Sequence, residues 1–150
     1  METVVKVFDA MTTRPVVTSR STNLVECAKL MAQKNIGSLI IKEGERFVGI
    51  ITEQDIVRRG VAKGVDLTTT AVDKVMSTDV VLGSPGMDIF DALATMRDYD
   101  LRHLPIVDEG KLMGLVTMKD ILKIHPDLFD ILVEKMEIAE QGRKLGNDLN

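Results

Sequence analysis

Two Thr-x-x-Asp segments carry the side chains of this sequence that are best suited to chemistry. Thr52 and Asp55 lie in GIITEQD, and Thr117 and Asp120 lie in GLVTMKD, sixty-five residues later. A hydroxyl can donate to a phosphate oxygen, and a carboxylate can accept from both hydroxyls of a vicinal diol such as that of ribose. The pattern therefore predicts a polar site for a nucleotide-like ligand at each segment.

A helix cap is the second interpretation of the same residues. Thr at the N-cap accepts from the amide of the third helical residue, and Asp at that residue accepts from the N-cap amide. The arrangement is worth about 1–2 kcal/mol and explains the pattern by itself. The two interpretations are compatible, because free amides at a helix start also attract anions. Gly49 and Gly114, three residues before each Thr, would let a flat ligand approach the strand.

The bulk composition narrows the class of protein. The 150 residues are 45% hydrophobic and 28% charged, which is typical of one compact domain or of two small units sharing a core. With a net charge of −4 and no Trp, the chain is not expected to bind nucleic acid. It has no apolar run of the roughly 18 residues that span a bilayer and no recognisable export signal. We therefore expect no membrane partner.

The remaining reactive side chains do not form a catalytic set. The single cysteine, Cys27, favours a reducing compartment, so we expect a cytoplasmic protein, and its place on an apolar helix stripe is typical of a buried thiol. His103 and His125 stand apart from any other His or Cys, so no metal site is predicted. No phosphate-binding loop, dinucleotide fingerprint or nucleophile–base set appears, and we expect no enzyme.

An internal repeat organises the chain. Residues 7–58 align without gaps with residues 72–123. Each copy predicts a short strand (VVT, 16–18; VVL, 80–82), an amphipathic helix, a hairpin and a second helix that begins at the Thr-x-x-Asp segment. Each copy is therefore β-α-β-β-α, in the α/β (α+β) class. Because about fifty residues bury little by themselves, we expect the copies to pack sheet to sheet as one pseudo-symmetric domain with ligand clefts between them.

The predicted helices place apolar residues on one face. These residues are Leu24, Cys27, Ala28 and Met31 in the first copy, with Asn35 as a left-handed cap, and Ile89, Ala92, Leu93 and Met96 in the second. Arg58, Arg59 and Lys63 form a basic run on the helix after the first motif, which is either a solvated helix face or a contact for phosphate or a partner.

A C-terminal amphipathic helix is predicted beyond the repeats. Pro126 suits its first turn, and Leu128, Ile131, Leu132, Met136 and Ala139 form an apolar stripe before a polar tail. We divide the chain into repeat 1 (5–60), a linker (61–70), repeat 2 (71–124), and the helix with its tail (125–150).

The duplicated strand, G-x-x-T-x-x-D and helix resemble the cystathionine-β-synthase-type (CBS) domain, most clearly over LRHLPIVDEGKLMGLVTMKDIL (101–122). Two such domains in tandem resemble a CBS pair, or Bateman module, across residues 5–123. The first copy departs from the pattern, with Ile40 where Pro105 stands and Gly37-Ser38 where Arg102-His103 stand.

The resemblance implies a regulatory module that binds AMP, ADP, ATP or S-adenosylmethionine in two clefts between the repeats. It implies ribose contacts from Asp55 and Asp120, and ribose or phosphate contacts from Thr52 and Thr117. The adenine slots would be lined by the residues around Thr18 and Gly83 at the first strand, and by Ile36-Gly37 and Leu101-Arg102 before the second. Phosphate contacts would come from Arg102, His103 and Lys119.

The two copies also predict different ligand preferences. Arg102, His103 and Lys119 of the second copy correspond to the neutral Gly37, Ser38 and Gln54 of the first. We therefore expect the cleft that receives Arg102 and Lys119 to bind polyphosphates more tightly.

The leading hypothesis is a stand-alone adenine-nucleotide sensor that needs no cofactor, forms a homodimer and signals to an unknown protein target. The alternative keeps the fold but leaves the clefts empty, as a structural or protein-interaction module.

Overall fold

The computed structural model describes residues 5–130, 133 and 141–142. Its helices are α1 (Val7–Ala10), α2 (Leu24–Lys34), α3 (Glu53–Asp55), α4 (Ile89–Asp98) and α5 (Met118–Ile124). Its strands are β1 (Val17–Thr18), β2 (Ser38–Glu43), β3 (Arg46–Thr52), β4 (His103–Asp108) and β5 (Lys111–Thr117). A π-helix over Ile56–Gly60 continues α3, and 3-10 helices cover Val61–Lys63, Val72–Lys74 and Pro126–Leu128. The predicted α+β class is confirmed.

The strands of both copies belong to one sheet in the described chain, in the order β1-β2-β3-β5-β4. β1 runs parallel to β2, and β2 and β3 form an antiparallel hairpin. Gly44 turns this hairpin with a φ of 57°, and Glu109 and Gly110 turn its counterpart with φ of 50° and 80°. The copies therefore meet edge to edge in the sheet, through the pairing of Arg46 in β3 with Lys111 in β5.

Two compact units make up the chain, and they do not coincide with the two copies. The first unit comprises Met1–Met11, Gly86–Leu104 and Val116–Asn150. In it α4 packs against α1 and α5, and its buried side chains include Val7, Leu93, Met96, Ile121 and Leu128.

The second unit comprises Thr12–Pro85 and Pro105–Leu115. Its apolar core joins the buried face of α2 to β2 and β3. The core residues are Leu24, Cys27, Met31, Leu39, Ile41, Ile51, Ile56, Val72, Val75 and Met76. Val72, Val75 and Met76 come from the start of the second copy, so the core of this unit already contains residues of both copies.

Reciprocal backbone pairing relates the copies within the second unit. Thr12 and Leu115 exchange hydrogen bonds of 2.8 and 3.0 Å, and Ser77 and Ile50, which are their counterparts in the alignment, exchange bonds of 2.9 and 3.0 Å. The leading segment of each copy thus pairs with the last hairpin strand of the other copy. Arg46 and Lys111 are counterparts in the alignment and pair with each other. The two copies are therefore related symmetrically about this pair.

Two sequence-based predictions about local structure are wrong. VVL (80–82) is not a strand, and pairing there is reduced to a bridge between Gly83 and Ile106. Gly83 replaces Thr18 of the first copy, and glycine weakens a strand.

The predicted place of Ala28 on the apolar face of α2 is wrong. Ala28 is exposed, although its counterpart Leu93 is buried. α4 has helices α1 and α5 against it in its own unit, whereas α2 contacts β2 and the π-helix.

The C-terminal cap of α2 follows the sequence prediction, and the end of α4 has the same conformation. Asn35 has a left-handed φ of 54°, and its counterpart Asp100 has a φ of 55°. The amide that follows each one donates back to the helix, from Ile36 to Met31 and from Leu101 to Met96. Asn35 is thus confirmed as the left-handed cap of α2.

The predicted C-terminal helix is described only in part. Pro126 opens a 3-10 helix, and Leu128 is buried. The remaining stripe residues, Ile131, Leu132, Met136 and Ala139, lie outside the described residues.

Candidate functional site

Both Thr-x-x-Asp segments form complete capping boxes. The Thr52 amide donates to Asp55 Oδ2 at 2.9 Å, and the Asp55 amide donates to Thr52 Oγ1 at 3.2 Å. Thr117 and Asp120 repeat these bonds at 2.9 and 3.1 Å. The capping interpretation is therefore confirmed in both copies. Each Thr hydroxyl keeps its proton for donation, and each carboxylate keeps one oxygen, Oδ1, outside the box.

The first-copy junction brings together some of the residues predicted to line a site. Ser38 pairs with Thr52 across the hairpin, and the Glu53 amide donates to the Gly37 carbonyl at 3.0 Å. Gly37 therefore lies directly beside the Thr52 cap. Ile36 is half-buried and packs against the core of the second unit. Thr52, Asp55, Ile36 and Gly37 thus form one contiguous junction at the end of the hairpin.

Thr18 lies away from this junction. It pairs with Ile41, three residues beyond Ser38 along β2, which is roughly 10 Å of strand. Its hydroxyl hydrogen-bonds to the Thr22 hydroxyl at 2.7 Å instead. Because β1 is parallel to β2, the residues before β1 run toward the junction, and the Val16 carbonyl accepts from the Ile40 amide at 3.2 Å. Val16 therefore lies nearer to the junction than Thr18 does.

The first-turn amides of the first junction are largely occupied. The Glu53 amide is taken by the Gly37 carbonyl and the Asp55 amide by the Thr52 hydroxyl. The prediction that free amides would attract an anion is therefore wrong for these two groups, since each already has an acceptor within the chain.

Gly49 also has a different role from the one that the sequence suggested. A Cβ on Gly49 would lie 2.7 Å from the Ser77 carbonyl oxygen and 3.0 Å from Met76 Sδ. The space above this strand position is therefore occupied by the protein's own chain and not open to a flat ligand. The absence of a side chain allows the leading segment of the second copy to pair with Ile50.

Arg59 is the cation of the first junction. Its Nη1 lies 4.0 Å from Asp55 Oδ1 and donates to the Ser77 hydroxyl at 3.3 Å. The neighbouring Arg58 is exposed and makes no hydrogen bond or ion pair with any described residue. In the sequence the two arginines belong to one basic run. The structure shows that Arg59 contacts the junction and that Arg58 does not.

The second-copy junction lies in the first unit. β4 begins at His103 and β5 ends at Thr117, so these residues stand at the same end of their hairpin. His103 and Leu101 are half-buried, and Arg102 and Lys119 are exposed. Neither Arg102 nor Lys119 is ion-paired within the described residues. The surroundings of Asp120 differ from those of Asp55, because the same offset of sixty-five residues, continued past the alignment, places Ile124 where the first copy has Arg59.

Cys27 is a structural thiol. It is fully buried, and burial, assisted by the negative charge of Glu26, raises its pKa to about 11. A thiol in that state is a poor nucleophile.

No group of three or more His, Cys, Asp or Glu suited to a metal ion occurs among the residues that the structure describes. None of the helices in that same portion is long and apolar enough to cross a bilayer.

Comparisons with known proteins agree with this architecture. The CBS domain family model matches residues 7–62 and again residues 72–127. The CBS domain-containing protein YhcV of Bacillus subtilis is 39% identical over 115 residues, which cover 77% of this chain and 81% of YhcV.

Solved structures share the fold. A conserved protein of Pyrococcus horikoshii superposes with a TM-score of 0.74 at 26% identity, over 83% of this chain and 94% of that one. The CBS domain pair of protein MJ0100, in complex with 5′-methylthioadenosine and S-adenosyl-L-methionine, has a TM-score of 0.71 at 25% identity, over 80% and 98% of the two chains. With the family's pattern on both copies, this chain belongs to the CBS domain family and carries the domain as a tandem pair.

Proposed function

We propose that this CBS pair is a regulatory module that binds adenosine-containing ligands and signals their presence to a protein partner. The observation that carries the proposal is the pair of Thr-x-x-Asp junctions, each with a hydroxyl proton and a carboxylate oxygen that its capping box leaves over. A ribose diol matches a carboxylate acceptor of this kind. The two ligands of the MJ0100 pair each contain an adenosine with that diol, which supports the proposal.

The proposed ligands are AMP, ADP, ATP and S-adenosylmethionine. Asp55 and Asp120 would hold ribose hydroxyls, and Thr52 and Thr117 would contact ribose or phosphate. In the first copy, Ile36 and Gly37 would contact the base, with Thr18 more distant. In the second copy, Leu101 would do so, and Arg102, His103 and Lys119 would favour a polyphosphate. Calorimetry that found two identical ATP sites would contradict this difference between the copies.

The mechanism that we propose is a change in the packing of the chain or of a homodimer when ligand binds, which the partner reads. Any such shift is limited by the difference in ligand affinity between the two states. No catalytic step is part of this proposal. We place the protein in the cytoplasm, where the single buried thiol of Cys27 would remain reduced.

A thermal-shift panel of AMP, ATP, S-adenosylmethionine, NAD and GTP tests the proposal. A ligand at one hundred times its Kd stabilises the folded state by about 2.7 kcal/mol. We expect Asp55→Ala and Asp120→Ala each to lower stability by about 1 kcal/mol through the lost cap and to reduce the adenosine-ligand response.

Asn23→Ala is the matched control. Asn23 caps α2 by accepting from the Glu26 amide at 2.9 Å and takes no part in either Thr-x-x-Asp capping box. This variant should lose similar stability and keep the full ligand response. If no ligand shifts the wild-type melt and all three variants merely lose stability, the chain is a structural or interaction module.

A further inference from the structure

The side chains of Arg59, Asp55 and Ser77 form a cluster at the first junction. Arg59 Nη1 donates to Ser77 Oγ at 3.3 Å and lies 4.0 Å from Asp55 Oδ1. The backbone of Ser77 is fixed by its two hydrogen bonds with Ile50, of 3.0 and 2.9 Å. The guanidinium thus lies beside the carboxylate, and 46% of the Arg59 side chain is exposed. It remains accessible to a ligand.

A side-chain cation is the strongest donor that this junction offers to an anionic group. The amides of Glu53 and Asp55 already donate to the Gly37 carbonyl and the Thr52 hydroxyl, so neither is available to a phosphate. The Arg59–Asp55 separation is at the outer limit of an ion pair, and such a half-exposed pair contributes little to stability. Arg59 can therefore turn toward a phosphate at small cost, and a guanidinium binds phosphate oxygens through two parallel N–H donors.

We propose that Arg59 determines the ligand specificity of the first repeat by binding the 5′-phosphate of a nucleotide whose ribose is held by Asp55. This inference rests on the proposed function and adds to it the residue that makes the first repeat prefer a nucleoside phosphate to an uncharged nucleoside. A guanidinium beside the carboxylate that holds the 2′,3′ side of a ribose can reach a phosphate on the 5′ side of the same ring. Ile124 stands at the equivalent position of the second copy, so this determinant belongs to the first repeat alone.

Isothermal titration of AMP and adenosine into matched variants tests the proposal. Asp120→Ala provides the background, because it leaves Asp55 as the junction carboxylate that can hold a ribose. In this background, Arg59→Gln should weaken AMP binding by about tenfold to a hundredfold, the range of one charge-assisted hydrogen bond, and leave adenosine affinity within about twofold. Arg58→Gln removes the same charge one residue away and should change neither affinity.

Each other outcome contradicts a specific statement. If Arg59→Gln weakens AMP and adenosine equally, or leaves AMP affinity unchanged, Arg59 is not the phosphate determinant although the proposed function stands. If Arg58→Gln has the same effect as Arg59→Gln, the effect is one of overall charge and the specific contact is wrong. A wild-type chain that binds neither compound removes the proposed function and this inference together. If the Asp120→Ala chain does not melt cooperatively, Arg59→Gln is compared with the wild-type chain instead. AMP titration must then show that one of two AMP sites is weakened.

Discussion

At the scale of single residues, Thr52 and Asp55 show that a helix cap and a ligand site can use the same side chains. Each capping bond occupies one oxygen lone pair, and a hydroxyl proton and a second carboxylate oxygen are left over. Arg59 shows that charge counted along the sequence does not identify a contact. It reaches both Asp55 and Ser77, and Arg58 reaches neither.

Cys27 gives a prediction about pH at this scale. Its pKa rises from an ordinary value of 9.0 to about 11 on folding. Between those values the unfolded chain loses the thiol proton while the folded chain keeps it, so this group lowers stability as pH rises from 9 toward 11 and has no effect below that window. Thermal melts at pH 8 and pH 10 should show a larger fall in Tm for the wild type than for Cys27→Ala. Equal falls in the two chains would contradict burial of the thiol.

At the scale of elements, the conformation of a strand is set by what packs on it. Gly49 lies in β3 directly beneath the Met76–Ser77 segment, which pairs with Ile50. β1 and its counterpart at Gly83 differ for another reason, the replacement of Thr18 by glycine. The first forms a two-residue strand along β2, and the second keeps only a bridge to Ile106. Elements at equal positions in the alignment are therefore not equal in the structure.

Gly49→Ala should destabilise the protein. The new methyl group would lie 2.7 Å from the Ser77 carbonyl oxygen, so the paired segment must shift, at a cost of about 1–3 kcal/mol. Gly86→Ala is the control, because no described residue lies within 4 Å of a Cβ at that position. Denaturant unfolding should show a lower free energy of unfolding for Gly49→Ala and an unchanged or slightly higher one for Gly86→Ala. If both variants match the wild type, the close approach at Gly49 is absent in solution.

At the scale of the whole molecule, the two copies depend on each other. The leading segment of each copy pairs with the last hairpin strand of the other, at Thr12–Leu115 and Ser77–Ile50. The core of the second unit contains Val72, Val75 and Met76 from the start of the second copy. The repeats are thus interleaved, as expected of copies that are too small to bury a core separately.

Oligomeric state is the prediction that belongs to this scale. Ile124 and Phe129, next to the predicted C-terminal stripe, are 43% and 53% exposed, and we expect a homodimer to which residues 131–140 contribute. Light scattering should give a dimer mass for the full chain and a mass shifted toward monomer for a chain ending at Asp130. A chain ending at Gly142 loses only the polar tail and should remain a dimer. An unchanged mass after truncation at Asp130 would count against this role.

The sequence by itself determined the duplication, the α-β-β-α order that both copies share, the two capping boxes, the buried thiol and the left-handed cap at Asn35. These features depend on hydrophobic periodicity and on hydrogen bonds between residues three or four positions apart, and both can be read locally. The tertiary structure alone decided that Gly49 accommodates Ser77, that Thr18 lies away from the Thr52 junction, that Ala28 is exposed, and that Arg59 reaches Asp55 and Ser77. Each of these depends on which distant segment packs beside a residue, which is a property of the folded chain and not of its local pattern.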